Sequence, residues 1–139
     1  MTVTLNGLAI LGSMVLSVII GFVWYGPLFG KRWMALSGII MPPDKKPCFK
    51  DMLKPILISL IGAFFMALCL SYSIAYAGAF MERFGTSMGI QAGFWSWLGF
   101  VVPIQLSFVA WEGKPWKLFC IHAGYWLVLL CGMGIILSL

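Results

Sequence analysis

His122 is the single histidine of the chain, and Gln105 is one of few polar side chains inside its long apolar stretches. Gln105 lies six residues before Trp111, and His122 lies six residues after Trp116. At ~1.5 Å rise per residue, each sits ~9 Å inside the boundary those indoles mark. Two helices joined by Glu112-Gly113-Lys114-Pro115 are antiparallel neighbours, so the two side chains share one depth. In one reading they form a proton- or ligand-handling site, with His122 as titrating group and Gln105 as orienting partner. In the other they make an interhelical hydrogen bond worth ~0.6 kcal/mol. Tyr72 and Tyr76, one turn apart with Ser71 and Ser73 beside them, could line a polar seam or bond to neighbouring carbonyls. No catalytic residues can be named: no span holds paired acids, and no Ser-His-Asp or Cys-His set can be placed. One histidine without a nearby carboxylate or CxxC pair offers too few ligands for a metal, and no cofactor is expected.

The elements carrying these residues follow from composition. Of 139 residues, 62% are hydrophobic and 9% charged, with a mean hydropathy of +1.02, too few charges to cover a small soluble domain. A helix needs ~20 apolar residues to cross ~30 Å of hydrocarbon. Four stretches qualify, at about 5–25, 55–80, 89–111 and 116–137. They lack period-two alternation and are too long for strands. The fold expected is therefore all-α and polytopic, one four-helix transmembrane bundle. The first stretch has no basic n-region and exceeds a signal-peptide core, so it reads as a retained helix. Cys48, Cys69, Cys120 and Cys131 read as three small buried hydrophobes and one loop thiol.

The net charge of +5 is not a nucleic-acid footprint, because it gathers beside the membrane. Lys31, Arg32, Lys45, Lys46, Lys50 and Lys54 fall between the first two spans, Lys114 falls between the last two, and Lys117 opens the fourth. The other side has Arg83 alone. This asymmetry predicts cytoplasmic basic loops and both termini outside. Trp24, Tyr25, Phe29 and Trp33 cluster at the first exit, and Trp111 and Trp116 flank the tight turn, as headgroup-level rings do. Segment 27–38 mixes Lys31 and Arg32 with aromatics, opens on Pro27 and closes on Gly38, which predicts a short interfacial helix. Residues 41–47, rich in proline, read as an extended loop. Pro103 should bend the third span and free a carbonyl near Gly99.

Small residues recur every fourth position: Ala9, Ser13, Ser17 and Gly21 in the first span, Ser59, Ala63, Ala67, Ser71, Ala75 and Ala79 in the second. Gly85, Gly89 and Gly93 do the same in the third. In lipid, helices associate through close backbone contact, so such ridges are packing faces. They could pair within the chain or meet another protomer, and the glycine ridge is the candidate for the second use.

The stretch Trp24-Tyr25-Gly26-Pro27-Leu28-Phe29-Gly30-Lys31-Arg32-Trp33-Met34 resembles a bacterial family of small four-helix membrane proteins classed only as a domain of unknown function. Trp111 to Phe119 and Ile121-His122-Ala123-Gly124-Tyr125 resemble the same family, in which Asn is more usual at the position of His122. The resemblance covers essentially the whole chain. It implies the architecture and a bacterial inner-membrane location, and supplies no activity. Two functions remain open. One is a non-enzymatic protein in the lipid bilayer that self-associates or scaffolds a membrane-protein partner, with segment 26–38 (Pro27, Phe29, Lys31, Arg32 and Trp33) and the basic loop as a cytoplasmic docking surface that could touch anionic lipid. The other is a small-solute or proton transporter or channel using polar residues between helices two, three and four.

Overall fold

The computed structural model describes residues 3–40 and 48–139; the expected loop at 41–47, with Lys45 and Lys46, lies outside them. Among the described residues the structure is helical, without strands. Four helices have the length and hydropathy of membrane spans: α1 (Gly7–Leu28), α3 (Phe49–Met81), α4 (Thr86–Glu112) and α5 (Trp116–Leu137). The short α2 (Gly30–Ser37) follows α1. The chain is an all-α, multi-pass membrane protein.

Local chemistry sets the ends. Asn6 caps α1 by accepting from the backbone N–H groups of Leu8 and Ala9 at 3.1 and 3.3 Å, satisfying two donors that open a helix. Gly38 closes α2 and Gly113 closes α4 in left-handed conformations (φ 70° and 63°) that favour glycine. Pro27 does not open α2, as the sequence suggests. It lies in a π-helical turn, Trp24–Leu28, that ends α1, and α2 begins at Gly30. A second π-helical turn, Trp97–Val101, interrupts α4 just before Pro103. The two share one geometry, in which the Trp24 carbonyl accepts from Phe29 N–H and the Trp97 carbonyl from Val102 N–H. Each proline withholds the N–H that an α-helix would supply four residues back, so a wider turn replaces the regular one.

Helix α5 is the centre of the packing. Leu129, Leu130 and Met133 are almost wholly buried and form the core with Ala63, Leu70 and Tyr125. Helices α1 and α4 each pack against both α3 and α5. The buried faces of α1 and α3 are their small-residue ridges, Ala9, Ser13 and Ser17 on one and Ala63 and Ala67 on the other. The hydroxyls stay on their own helices: Ser13 donates to Ala9 and Ser17 to Met14.

The glycine ridge of α4 also packs inside the chain rather than toward another protomer. Gly89 abuts the Gly134 carbonyl of α5, and Gly134 in turn abuts the Gly89 carbonyl. A Cβ on Gly93 would lie 2.5 Å from the Leu130 carbonyl oxygen. Only hydrogen fits at these points, so the backbones touch. Gly85, the first of the ridge, has open space around it and serves as the turn before α4 (φ 98°).

Gly134→Ala should therefore lower stability in detergent by at least ~1–3 kcal/mol, the usual cost of overpacking. Gly62→Ala, with nothing within 4 Å of its added methyl, should be neutral or stabilising. Comparable loss in both variants, measured by thermal unfolding, would contradict the crossing.

Candidate functional site

At the end opposite the glycine crossing, the helices part. The last turns of α1, the first half of α3, the end of α4 and the start of α5 surround a cleft of about 1150 Å³. Asp51, Glu112 and Lys114 stand at its mouth, all exposed. Its walls are apolar, with contributions from Phe22, Met52, Ile56, Met66 and Leu118. Its polar interior is made by Tyr25, Gln105, His122 and Tyr125, with Trp33 beside them.

The π-helical turn of α1 positions the first of these. It swings Trp24 and Tyr25 inward against α5, where headgroup anchors were expected. The Trp24 indole N–H donates to the Ile121 carbonyl at 2.9 Å, and its ring lies over Gly124, where a Cβ would come within 3.0 Å. Tyr25 Oη and His122 Nδ1 are 2.6 Å apart, a hydrogen bond whose direction follows the imidazole tautomer. Around Tyr25 lie the rings of Trp33, Tyr125 and His122, at centroid distances of 5.1, 5.2 and 5.6 Å. Tyr125 in turn donates to the Ser17 carbonyl at 3.4 Å. Gly30 lets the chain turn back here, since a Cβ would sit 2.6 Å from the Tyr25 carbonyl oxygen.

With Nδ1 engaged by Tyr25, His122 keeps Nε2 without a hydrogen-bond partner among the described residues. No fully buried side-chain nitrogen or oxygen there lacks a partner, so Nε2 is accessible. His122 lines the cleft. In the neutral ring Nε2 is either donor or acceptor, so the site can hold a hydroxyl, an amide or a proton-bearing group.

The partner of His122 is thus Tyr25 of the first span, not Gln105. Gln105 lines the same cleft half-buried, with no hydrogen bond to His122 among the described residues. Tyr72 and Tyr76 take no part. They stack on each other at 6.2 Å on an exposed face of α3, beyond Met66 where the cleft lining of that helix stops. Ser71 and Ser73 donate to the Ala67 and Cys69 carbonyls of their own helix. Pro27, Lys31 and Arg32 are exposed, and Phe29 packs on Trp24 with centroids 4.9 Å apart. Cys69 and Cys120 are exposed on their spans rather than buried, while Ala75 and Gly21 are half-buried.

One functional feature of the sequence went unread. Gly21-Phe22-Val23-Trp24-Tyr25-Gly26 has a counterpart in Gly93-Phe94-Trp95-Ser96-Trp97-Leu98-Gly99. Both contain Trp-x-Gly, both open a π-helical turn, and both tryptophans donate to carbonyls within α5. Trp97 donates to the Ala123 carbonyl at 2.8 Å, two residues from the carbonyl that Trp24 holds. The two indoles clamp the segment that carries His122 from both sides.

Trp24→Phe and Trp97→Phe should each cost about 0.6–1.7 kcal/mol, the range of single hydrogen bonds inside membrane proteins. Tyr25→Phe should change the imidazole ¹⁵N shifts of His122 with little effect on stability. Unchanged shifts would remove the Tyr25–His122 pair from the account.

Over residues 8–138 the chain matches the family model described as Protein of unknown function (DUF1761). No curated protein and no solved structure was found similar to it.

Proposed function

The chain belongs to this family of unknown function, and from its own geometry we propose that it is a carrier for a small hydrogen-bonding solute. The solute enters the cleft from the lysine-bearing end and is held by Tyr25, His122 and Gln105. The single observation that carries this reading is that His122, its Nε2 without a hydrogen-bond partner among the described residues, lines a cleft of about 1150 Å³ whose lining includes exposed charged groups. That volume lies just above the ~300–1,000 Å³ typical of small-molecule sites. An ionisable side chain inside a membrane protein is costly and by default functional.

The lysine-bearing end faces the cytoplasm in this reading, in a bacterial inner membrane. Lys31, Arg32, Lys50, Lys54, Lys114 and Lys117 sit there among the described residues, against Arg83 at the other end. Cys48, exposed at the mouth, should then resist an impermeant maleimide in intact cells and react in inverted vesicles. Labelling in intact cells would reverse the orientation.

A second reading is self-association or scaffolding of a partner. It is supported by the second half of α4, residues 102–112, where no side chain is buried. Its original motive, the three small-residue ridges, is weaker, because Ser13, Ser17, Ala63, Ala67, Gly89 and Gly93 are buried within one chain.

Proteoliposomes separate the two. A carrier should raise glycerol or proton flux above protein-free vesicles, and both His122→Ala and Tyr25→Phe should reduce it while Tyr76→Phe leaves it unchanged. Flux at the protein-free level for both probes would favour the scaffold.

A further inference from the structure

We propose that the cleft is the head-group half of a binding site for a single-chain lipid with an uncharged, hydroxyl-bearing head, such as a monoacylglycerol, whose acyl chain lies in a neighbouring crevice of α3 and α4. This goes beyond the carried solute by assigning the same cleft a lipid ligand, and it rests on the cleft being a ligand site.

The crevice has a volume of about 510 Å³ and lies beside the π-helical turn of α4. Phe65, Leu70, Phe100, Ile104 and Leu130 form its walls, with two hydroxyls at its edge, that of Ser73, which is bonded to the Cys69 carbonyl, and that of Ser96. An apolar crevice at hydrocarbon depth takes an acyl chain from its solvent. Taken alone, it would hold any lipid tail.

Its position against the cleft makes it selective. Met66, Gln105 and Trp126 line both spaces, so they form the partition between them. Gln105 offers two donors and an acceptor at that partition, which explains a half-buried carboxamide without a bond to His122. A chain that ends at Gln105 places its head beside Tyr25 and His122. Among the described residues, the charged groups lining the cleft are Asp51, Glu112 and Lys114, all at its mouth. A phosphate or carboxylate head at Gln105 would meet no counter-charge, and burying an unpaired charge is expensive. Hydroxyl groups can be satisfied by Gln105, Tyr25 and His122 Nε2.

The full-length protein in phosphatidylcholine vesicles, doped with a monoacylglycerol carrying a diazirine at its chain end, tests this after photolysis and peptide mapping. Label should concentrate in residues 65–73 and 100–104. Ser73→Trp, which fills the crevice, should lower it about tenfold, equivalent to ~1.4 kcal/mol of binding. Gln105→Leu should lower it for the monoacylglycerol and leave labelling by a diazirine phosphatidylcholine unchanged; this variant preserves the test if Ser73→Trp fails to fold. Equal labelling on the lipid-facing residues Leu11, Val15 and Ile19 would overturn the proposal, as would equal crevice labelling by the two lipids. Failure of the carrier reading shows separately, in flux vesicles that contain no single-chain lipid.

Discussion

The backbone contact between Gly89 of α4 and Gly134 of α5 is the constraint on which the rest of the molecule depends. In hydrocarbon, apolar burial gives helices no reason to associate, and close approach must replace it. Two glycines facing each other bring the backbones together at one end of the α4–α5 pair. Past Gly93, α4 meets the π-helical turn and Pro103, and its second half buries no side chain. The same pair of helices is thus locked at one end and parted at the other. The cleft is the space this parting leaves.

Helix α5 is held at the open end by different means. Tryptophan indoles from α1 and α4 donate to its Ile121 and Ala123 carbonyls, bracketing His122. Both indoles reach it from π-helical turns, where the extra residue rotates the side chain relative to a regular helix. An expensive irregularity in each span therefore has a structural return, and it also presents His122 and Tyr25 to the cleft. Tyr25 fixes one imidazole nitrogen and leaves the other available, so the pair is both a packing contact and a recognition element.

Much of the architecture was legible from the chain alone, because hydrocarbon thickness sets span length and the apolar runs are uninterrupted. Of the small-residue positions, Ala9, Ser13 and Ser17 of α1 and Ala63 and Ala67 of α3 are buried, Ser59 is exposed, and Gly21, Ser71, Ala75 and Ala79 are half-buried, and period alone could not say which partner each ridge meets. Gly89 illustrates the difficulty: a four-residue glycine repeat fits a second protomer as well as a neighbouring helix, and only Gly134, forty-five residues on, decides it. The site was legible only in part. Depth counting placed Gln105 and His122 at one level, and both do line the cleft. Depth says nothing about rotation around the helix axis, however, so it could not reveal that His122 turns to Tyr25. Tyr25 itself reads as an interfacial aromatic, since a π-helical turn leaves no mark in hydropathy.

The central claim, a molecule closed at one end and open to water at the other, is tested most directly by single cysteines along α3 in a background lacking the native thiols. An impermeant thiol reagent added from the lysine-bearing side should modify Ser59→Cys, which lines the cleft, and spare Ile58→Cys, which faces lipid, and Ala67→Cys, which is buried beyond it. Modification at position 67 as fast as at 59, or at neither, would contradict a one-sided cleft.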